Sequence, residues 1–458
     1  MGVPKSIPDV FTFCLPFDDA TIYISPHYVI KTCGRPFSIE TIRARGGRVI
    51  AMEKAWLLLR KHSCYLRIML LAMIGYLLLH DLAGGTLFIH EPLDSYTLQA
   101  LAWRKGEICL TNGQDYPWLE FAIYNGKYFV SFPPIPSLFL LPLTIVFGEE
   151  TPNTLMVAIY AVAALLGAYR ACLAAKMQPR VAAFWAVFTV FSCNMVDISS
   201  NGGVWYQAQT LNFACLMWAV DCMLRDRRSF CCVFLVLAVG CRPFSAIYVI
   251  LALLYFVLKD KTRYGNMLNL KPWTKYILPT IVVMVGAMVY MWYNWIRFDN
   301  VLEFGHNYLP EFTCSENGQF HISYLLSNLR NIFLRQVKIL PSGKLQYPEF
   351  NGFAFYIANP IYLAWFVQIA KDIKNRNMSV LKVGTCIAIF SNIIALCMHK
   401  TFGGWQFGAR YTIDCIPFVL FYFIISNRKK ATEFERLLCG FGILFNAYGA
   451  VHMGLGRP

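Results

Sequence analysis

Charge is what this sequence lacks. Only 15% of its 458 residues are Asp, Glu, Lys or Arg, against 57% hydrophobic and 16% aromatic, whereas soluble domains carry about 25% charged residues. That deficit excludes an ordinary soluble domain. Apolar runs of roughly 17 to 22 residues recur along the chain, each long enough to cross a hydrocarbon core of about 30 Å. Mean hydropathy is +0.47. The chain reads as an all-α polytopic membrane protein with no large soluble domain.

Other absences narrow this. There is no CxxC pair and no metal-ligand spacing among the 16 cysteines, so neither a metal nor another cofactor is expected. Most of them, including Cys64, Cys193, Cys215, Cys386 and Cys397, lie in or beside apolar runs, where Cys behaves as a small hydrophobe. Only Cys109 and Cys314 fall in loops placed outside, and nothing in the sequence pairs them. No internal repeat and no signal-peptide layout occur. Acids are the scarcer charge, 26 against 41 basic residues, for a net +15. The basic residues sit in short clusters between apolar runs, which is the positive-inside pattern. Nucleic acid is therefore not expected as a partner.

Residues 1–51 mix Pro, Cys, Asp and aromatics without a period and end in RARGGRVIA. They read either as a cytoplasmic tail or as sequence upstream of a start at Met52, since a purine-rich ribosome site often translates as Arg-Gly-Gly. Lys54, Arg60, Lys61 and Arg67 precede the first apolar run, which ends near Leu79 and delivers the chain outside. Residues 81–153 form a first outer loop. Its apolar piece 132–147 is short and carries Pro133, Pro134, Pro136 and Pro142, which remove donors that lipid cannot replace. If it crossed, acidic GEETPN (148–153) would be cytoplasmic and basic AKMQPR (175–180) outside, both against the charge bias. It is expected to stay outside as an interfacial or re-entrant helix.

Spans follow near 154–174, 181–199 and 205–224. The run 230–258 is too long for one span and is interrupted by Gly240-Cys241-Arg242-Pro243 between basic RDRR and KDKTR. A hairpin of two short helices is expected, with Arg242 at its outer tip. A span at 276–296, a second outer loop at 298–350, and spans near 352–370, 379–398, 411–426 and 436–456 complete a transmembrane domain over 52–458, with about eleven helices.

With that topology the conspicuous polar residues share one side. Glu91, Asp94, Lys127 and Tyr128 belong to the first loop, and Arg242 to the hairpin tip. Arg297, Glu303 and His306 begin the second loop, and Arg410 with Tyr411 enters the span near 411. Charges at membrane depth are costly and mark substrate paths. A ring of cations with a few acids at one interface suits a phosphorylated, membrane-embedded substrate. Plainer roles stand beside each residue. Asp94 also reads as the N-cap of a helix from Tyr96 to Lys105 ended by Gly106. Glu91 reads as a solvated acid, His306 as a loop histidine, and Lys127 as a turn solubiliser. Arg242 reads as a snorkelling helix end, Arg297 as an interfacial anchor, and Trp205 with Tyr206 as an aromatic belt. Arg410 starts a span from outside, where positive charge is disfavoured, which points to a specific partner.

Several segments resemble bacterial glycosyltransferases of the GT-C class, relatives of the protein mannosyltransferases and aminoarabinose lipid A transferases. HEPLDSYTLQALAWRKGEICL with YNGKYFVSFPPIPSLFLLPL is similar to their first outer loop. NGGVWYQAQ, VGCRPFSAIYV, YNWIRFDNVLEFGHNY and GGWQFGARYTIDCIPF are similar to later segments, so the resemblance runs from about Leu66 to Tyr422. It implies a GT-C type bundle with juxtamembrane helices in the first loop, in a bacterial inner membrane. It also implies inverting transfer of a sugar from a polyprenyl-phosphate donor to a lipid-linked or cell-envelope acceptor on the outer face. Asp94 would be the general base, Arg242 and Arg410 with Lys127 would bind the donor phosphate, and Tyr128 and Tyr411 would bond donor or acceptor. Two departures stand out. Glu91, three positions before Asp94, keeps a rival base in play, and the chain lacks a large outer domain after its last span. Two rival functions remain: a transporter or flippase of lipid-linked sugars, and an envelope glycan polymerase or ligase using a diphosphate-linked donor. A transporter should carry ionisable groups at mid-membrane on broken helices, often in repeated halves.

Overall fold

A computed structural model describes residues 64–265 and 270–456, so the two readings of residues 1–51 lie outside the described part. The described chain is helical, with two small two-stranded pieces. Its helices are α1 (Cys64–Leu82), α2 (Ser95–Arg104), α3 (Ile135–Phe147), α4 (Asn153–Ala174), α5 (Pro179–Val190) and α6 (Met195–Ile198). Next come α7 (Val204–Leu224), α8 (Arg228–Val239), α9 (Ile247–Tyr264), α10 (Leu270–Phe298), α11 (Pro310–Thr313) and α12 (Ser323–Leu334). The last are α13 (Phe355–Ala358), α14 (Ile361–Lys374), α15 (Val380–Cys397), α16 (Ile416–Ile425) and α17 (Glu433–Leu455). Among the described residues six helices are long and apolar enough to cross a membrane: α1, α4, α9 with the turn before it, α10, α15 and α17. The protein is an integral, multi-pass membrane protein.

α7 runs through the middle of the bundle and is buried along nearly its whole length. Lipid gives helices no hydrophobic reason to associate, so small residues that let backbones approach become the adhesive. α4 supplies them: Ala161, Ala164, Gly167 and Ala168 are buried, and a Cβ on Gly167 would meet Met217 of α7 at 3.0 Å.

Three of the expected spans are broken. Residues 181–199 divide into α5 and α6, 352–370 into α13 and α14, and 411–426 into a 3-10 turn (Arg410–Cys415) and α16. A break inside a bilayer strands backbone groups that must find partners in the protein. Asn194 and Asn359 provide them. Asn359 Oδ1 accepts the Asn194 backbone N–H at 2.9 Å, and Asn359 Nδ2 donates to Asn194 Oδ1 at 2.8 Å. Asn194 Nδ2 donates to the Phe407 carbonyl, and Asn359 Nδ2 to Thr412 Oγ1. The three breaks are thus tied together.

The run 230–258 is two helices, α8 and α9, and it doubles back. Arg228 at the start of α8 meets Asp260 near the end of α9 through two bonds of 2.7 Å, with Tyr276 of α10 donating to the same carboxylate at 2.9 Å. At the other end Gly240, Cys241 and Arg242 form the tip. α3 docks there: the Ile135 N–H donates to the Gly240 carbonyl at 3.1 Å.

The first loop carries more structure than its sequence reading gave it. Asn125 and Gly126 both take positive φ, 50° and 73°, the geometry of a two-residue hairpin turn. They join β1 (Phe121–Tyr124) to antiparallel β2 (Lys127–Val130). α3 spans only 13 residues with Pro142 inside, about 20 Å at the helical rise. It lies along α2: Ser137 donates to Gln99 Oε1 at 2.6 Å, and Arg104 Nη1 donates to the Thr144 carbonyl in the last turn of α3.

Two outcomes are expected. Asp260→Ala removes both 2.7 Å bonds from the buried Arg228 guanidinium, leaving it Asp226 on Nε at 3.0 Å, and should cost about 3 kcal/mol, read as a lower melting temperature in detergent; Arg228→Met with Asp260→Leu should recover most of it. An unchanged melting temperature for Asp260→Ala would mean that the pair holds nothing. Cysteines placed at 125 and 150 should react with an impermeant reagent from the same, outer side. Labelling of 150 from the cytoplasm would make α3 a crossing helix.

Candidate active site

Two polar clusters meet beside the N-terminal end of α7. The first contains the two acids of the opening loop. Asp94 is 2% exposed and caps α2: Oδ1 accepts the Tyr96 N–H at 2.9 Å, and Oδ2 accepts Thr97 Oγ1 at 2.5 Å and Asn153 Nδ2 at 3.0 Å. Burial holds its carboxyl above the usual carboxylate range, against the pull of those donors. Glu91 is half-buried, with Oε2 accepting from Asn201 at 2.5 Å. Asn153, first residue of α4, joins the two: it accepts from the Glu91 N–H at 2.8 Å and donates to the Glu91 carbonyl at 3.0 Å. This needs Gly202, where a Cβ would sit 2.5 Å from Asn153 Oδ1.

The second cluster contains the arginines. Arg242 Nε donates to Asp414 Oδ2 at 2.6 Å, and its guanidinium lies 4.8 Å from the centre of the Tyr411 ring. Arg410, 4% exposed, lies 4.9 Å from the same ring and 5.4 Å from that of Tyr206. Its hydrogen bonds go to neutral oxygens: Nη1 to Gln209 Oε1 at 3.1 Å and Nε to the Gly403 carbonyl at 3.0 Å. Among the described residues no carboxylate pairs with it. Gln209 Nε2 in turn donates to the Arg410 carbonyl at 2.8 Å and to Asp414 Oδ1 at 3.3 Å.

Tyr96 links the clusters. Its hydroxyl is buried without a hydrogen-bond partner among the described residues, close enough to Asp94 and Arg242 to feel both charges. The Leu93 carbonyl accepts the Val204 N–H at 2.9 Å, fixing the acid-bearing loop to the start of α7.

His306 belongs to the same neighbourhood. Its ring stands edge-on to Phe132 at 4.9 Å and faces Phe312, whose other neighbour is His399 at 5.2 Å. Burial, with a smaller effect of Arg242, holds the His306 pKa down to about 4, and burial with His306 beside it holds His399 at about 3. Both imidazoles are neutral at physiological pH.

The remaining candidates sit elsewhere or serve the scaffold. Lys127 is exposed beside the β-hairpin turn, and no hydrogen bond or ion pair among the described residues joins it to the arginines. Tyr128 packs over Gly113 and edge-on to Phe121 at 6.5 Å, and its carbonyl accepts the Leu110 N–H. Arg297 is buried, tying α10 to β2 through the Val130 carbonyl at 2.9 Å, with its guanidinium 4.1 Å from the Tyr293 ring. Glu303 accepts from the Gly305 N–H and Asn307 Nδ2, closing its own turn. Trp205 donates to Glu120 at 2.9 Å. Cys109 and Cys314 are both free thiols.

Sequence reasoning passed over Asp414, Asn153, Asn201, Gln209, Asn212 and His399. The signal existed: Asp414 and the amides of α7 are polar residues inside apolar runs, where each needs a reason. Among the described residues no group of His, Cys, Asp and Glu is placed to hold a metal ion.

No protein family profile matches the chain, and no curated protein matches its sequence. Solved structures do resemble it. One is ArnT from Cupriavidus metallidurans bound to undecaprenyl phosphate, 12% identical over 80% of this chain and 60% of that one, with a TM-score of 0.46. Another is the oligosaccharyltransferase AglB from Archaeoglobus fulgidus in complex with an inhibitory peptide and a dolichol-phosphate, 13% identical over 87% of this chain and 57% of that one, with a TM-score of 0.45. Both are membrane glycosyltransferases of the GT-C class. The chain spans less than two thirds of either structure.

A histidine whose folded pKa lies below its unfolded value leaves the unfolded state binding more protons. Through His306 and His399, stability should therefore rise with pH from about 4 to about 6.5, the unfolded value. His306→Phe should flatten the fall in melting temperature between pH 7 and pH 5; an identical fall in that variant would show that His306 carries none of it.

Proposed function

We propose that this protein is a membrane glycosyltransferase of the GT-C type. It moves a sugar from a polyprenyl-phosphate donor to a lipid-linked or cell-envelope acceptor at the outer face, with inversion. The observation that carries this reading is Arg410, a buried guanidinium with only neutral partners, set beside Arg242 on one tyrosine ring. A buried cation left without a counter-charge is costly, and a lipid phosphate arriving from the membrane would supply that charge. The Nη groups of Arg242, with no hydrogen-bond partner among the described residues, would take part of it.

In this reading the phosphate is also the leaving group. The arginines hold it before the reaction and stabilise the charge that develops as the anomeric C–O bond breaks, so it needs little protonation. The acceptor hydroxyl attacks from the opposite face and gives its proton to a carboxylate. Asp94 is the proposed base: its raised pKa makes it more basic than an ordinary aspartate, and Asn153 and Thr97 fix its orientation. Glu91 is the second candidate, held by Asn201 and sharing Asn153. His306 and Tyr411 would border the donor. Lys127, Tyr128, Arg297 and Glu303 serve the loop scaffold in this reading.

Transport is the second reading, and the three broken helices favour it, since discontinuous helices build transporter sites. Here the breaks are closed by Asn194 and Asn359 binding each other and neighbouring backbone, and the charges on them, Arg410 and Asp414 of the turn before α16, belong to the single arginine cluster. The enzyme reading suits that arrangement better.

Asp94→Asn keeps the cap on α2, because Asn caps as well as Asp, and removes the base together with the acceptor that Asn153 Nδ2 uses. It should lower turnover by about a hundredfold or more while leaving binding of the lipid-phosphate donor within a few-fold. Glu91→Gln should be much milder. A normal rate in Asp94→Asn, with loss in Glu91→Gln, would transfer the role to Glu91.

A further inference from the structure

Arg242 and Arg410 have one carboxylate between them. Asp414 Oδ2 takes the Arg242 Nε–H at 2.6 Å, while Oδ1 takes Gln209 Nε2 and Asn212 Nδ2, both at 3.3 Å. Asn212 is itself oriented, because its Oδ1 accepts from Ser245 Oγ at 2.7 Å, three residues past Arg242 on the same turn. Asp414 is 3% exposed and lies one turn beyond Arg410. Two features follow. Holding a guanidinium by Nε fixes its plane and leaves the Nη edge as the surface presented to a ligand. And Asp414 cancels one of the two guanidinium charges at hydrogen-bond distance, while Arg410 feels only the more distant carboxylate of Glu120.

Donor lipids differ in charge. A sugar phosphodiester carries one negative charge, whereas a diphosphate-linked sugar carries two. We propose that Asp414 is a positioning residue that orients Arg242 and, by cancelling one of the two arginine charges, matches the site to a singly charged phosphodiester rather than a diphosphate-linked donor. This rests on the glycosyltransferase reading and narrows its substrate class.

The test is binding of a polyprenyl phosphodiester sugar and of the diphosphate-linked form of the same sugar and chain length to purified full-length protein. The quantity read is the ratio of the two dissociation constants. Asp414→Asn keeps the side chain's shape and an acceptor for Arg242 Nε but removes the charge. It should shift the ratio toward the diphosphate by about tenfold at low salt, since the extra phosphate charge then meets two uncancelled guanidiniums at short range. Gln209→Glu sets a carboxylate against Arg410 in place of the amide that donates to Asp414 Oδ1, and the added negative charge should shift the ratio the other way. A purely structural defect weakens both lipids alike, so an unchanged ratio in Asp414→Asn overturns the proposal. If that variant does not fold, an unchanged ratio in Gln209→Glu does the same. Failure of the wild-type protein to bind either lipid would remove the glycosyltransferase reading itself.

Discussion

A guanidinium below the surface of a membrane protein must find negative charge or neutral oxygens to replace its water. Much of this molecule's candidate site is arranged around two of them. Arg242 is paired through Nε with Asp414, and Arg410 is held by Gln209, Gly403 and two aromatic faces. These partners come from separate parts of the chain: a hairpin tip, the middle helix α7, and the break before α16. Each element therefore has to arrive in register for the charges to be tolerated. The packing of α4 on α7 through small residues, and the cross-linking of the three breaks by Asn194 and Asn359, hold that register.

The acids are reached through a different kind of contact. Asp94 sits at the head of a short helix, and its donors include a backbone amide, a hydroxyl and the amide of Asn153 at the start of α4. A side chain that caps a helix is rigid by necessity, because moving it uncaps the helix. The capping role and a chemical role are thus compatible on one residue. A base must hold its position while an acceptor comes and goes, and the cap supplies that.

Much of the fold is legible in the sequence because lipid permits few solutions. Apolar runs of sufficient length, separated by basic clusters, place helices at each expected position. The Gly240-Cys241-Arg242-Pro243 interruption marks the hairpin, and Asp94 with Gly106 brackets α2. The breaks were not legible. Phe191–Asn194 and Pro360 lie in stretches whose hydropathy is continuous, and hydropathy does not register a helix that stops and resumes. The β-hairpin was legible from Asn125-Gly126 between alternating strands, but residues 121–130 were read only as part of the outer loop. Asp414 and Gln209 were hidden for another reason. A single polar residue in an apolar run acquires meaning only when its partner is known, and that partner lies about 170 to 205 positions away in sequence. Lys127 shows the converse: its position beside the loop motif is suggestive, while its side chain stands in the open.

Gln209 bears on how the sequence can drift. One side-chain amide accepts from Arg410, donates to its carbonyl and donates to Asp414. Position 209 is therefore a shared hinge pin in evolutionary terms: a change there alters the electrostatic surroundings of both arginines at once. Homologues should then show correlated replacement at 209, 410 and 414, with intermediates rare, even though these positions lie on two elements and only two of them carry charge.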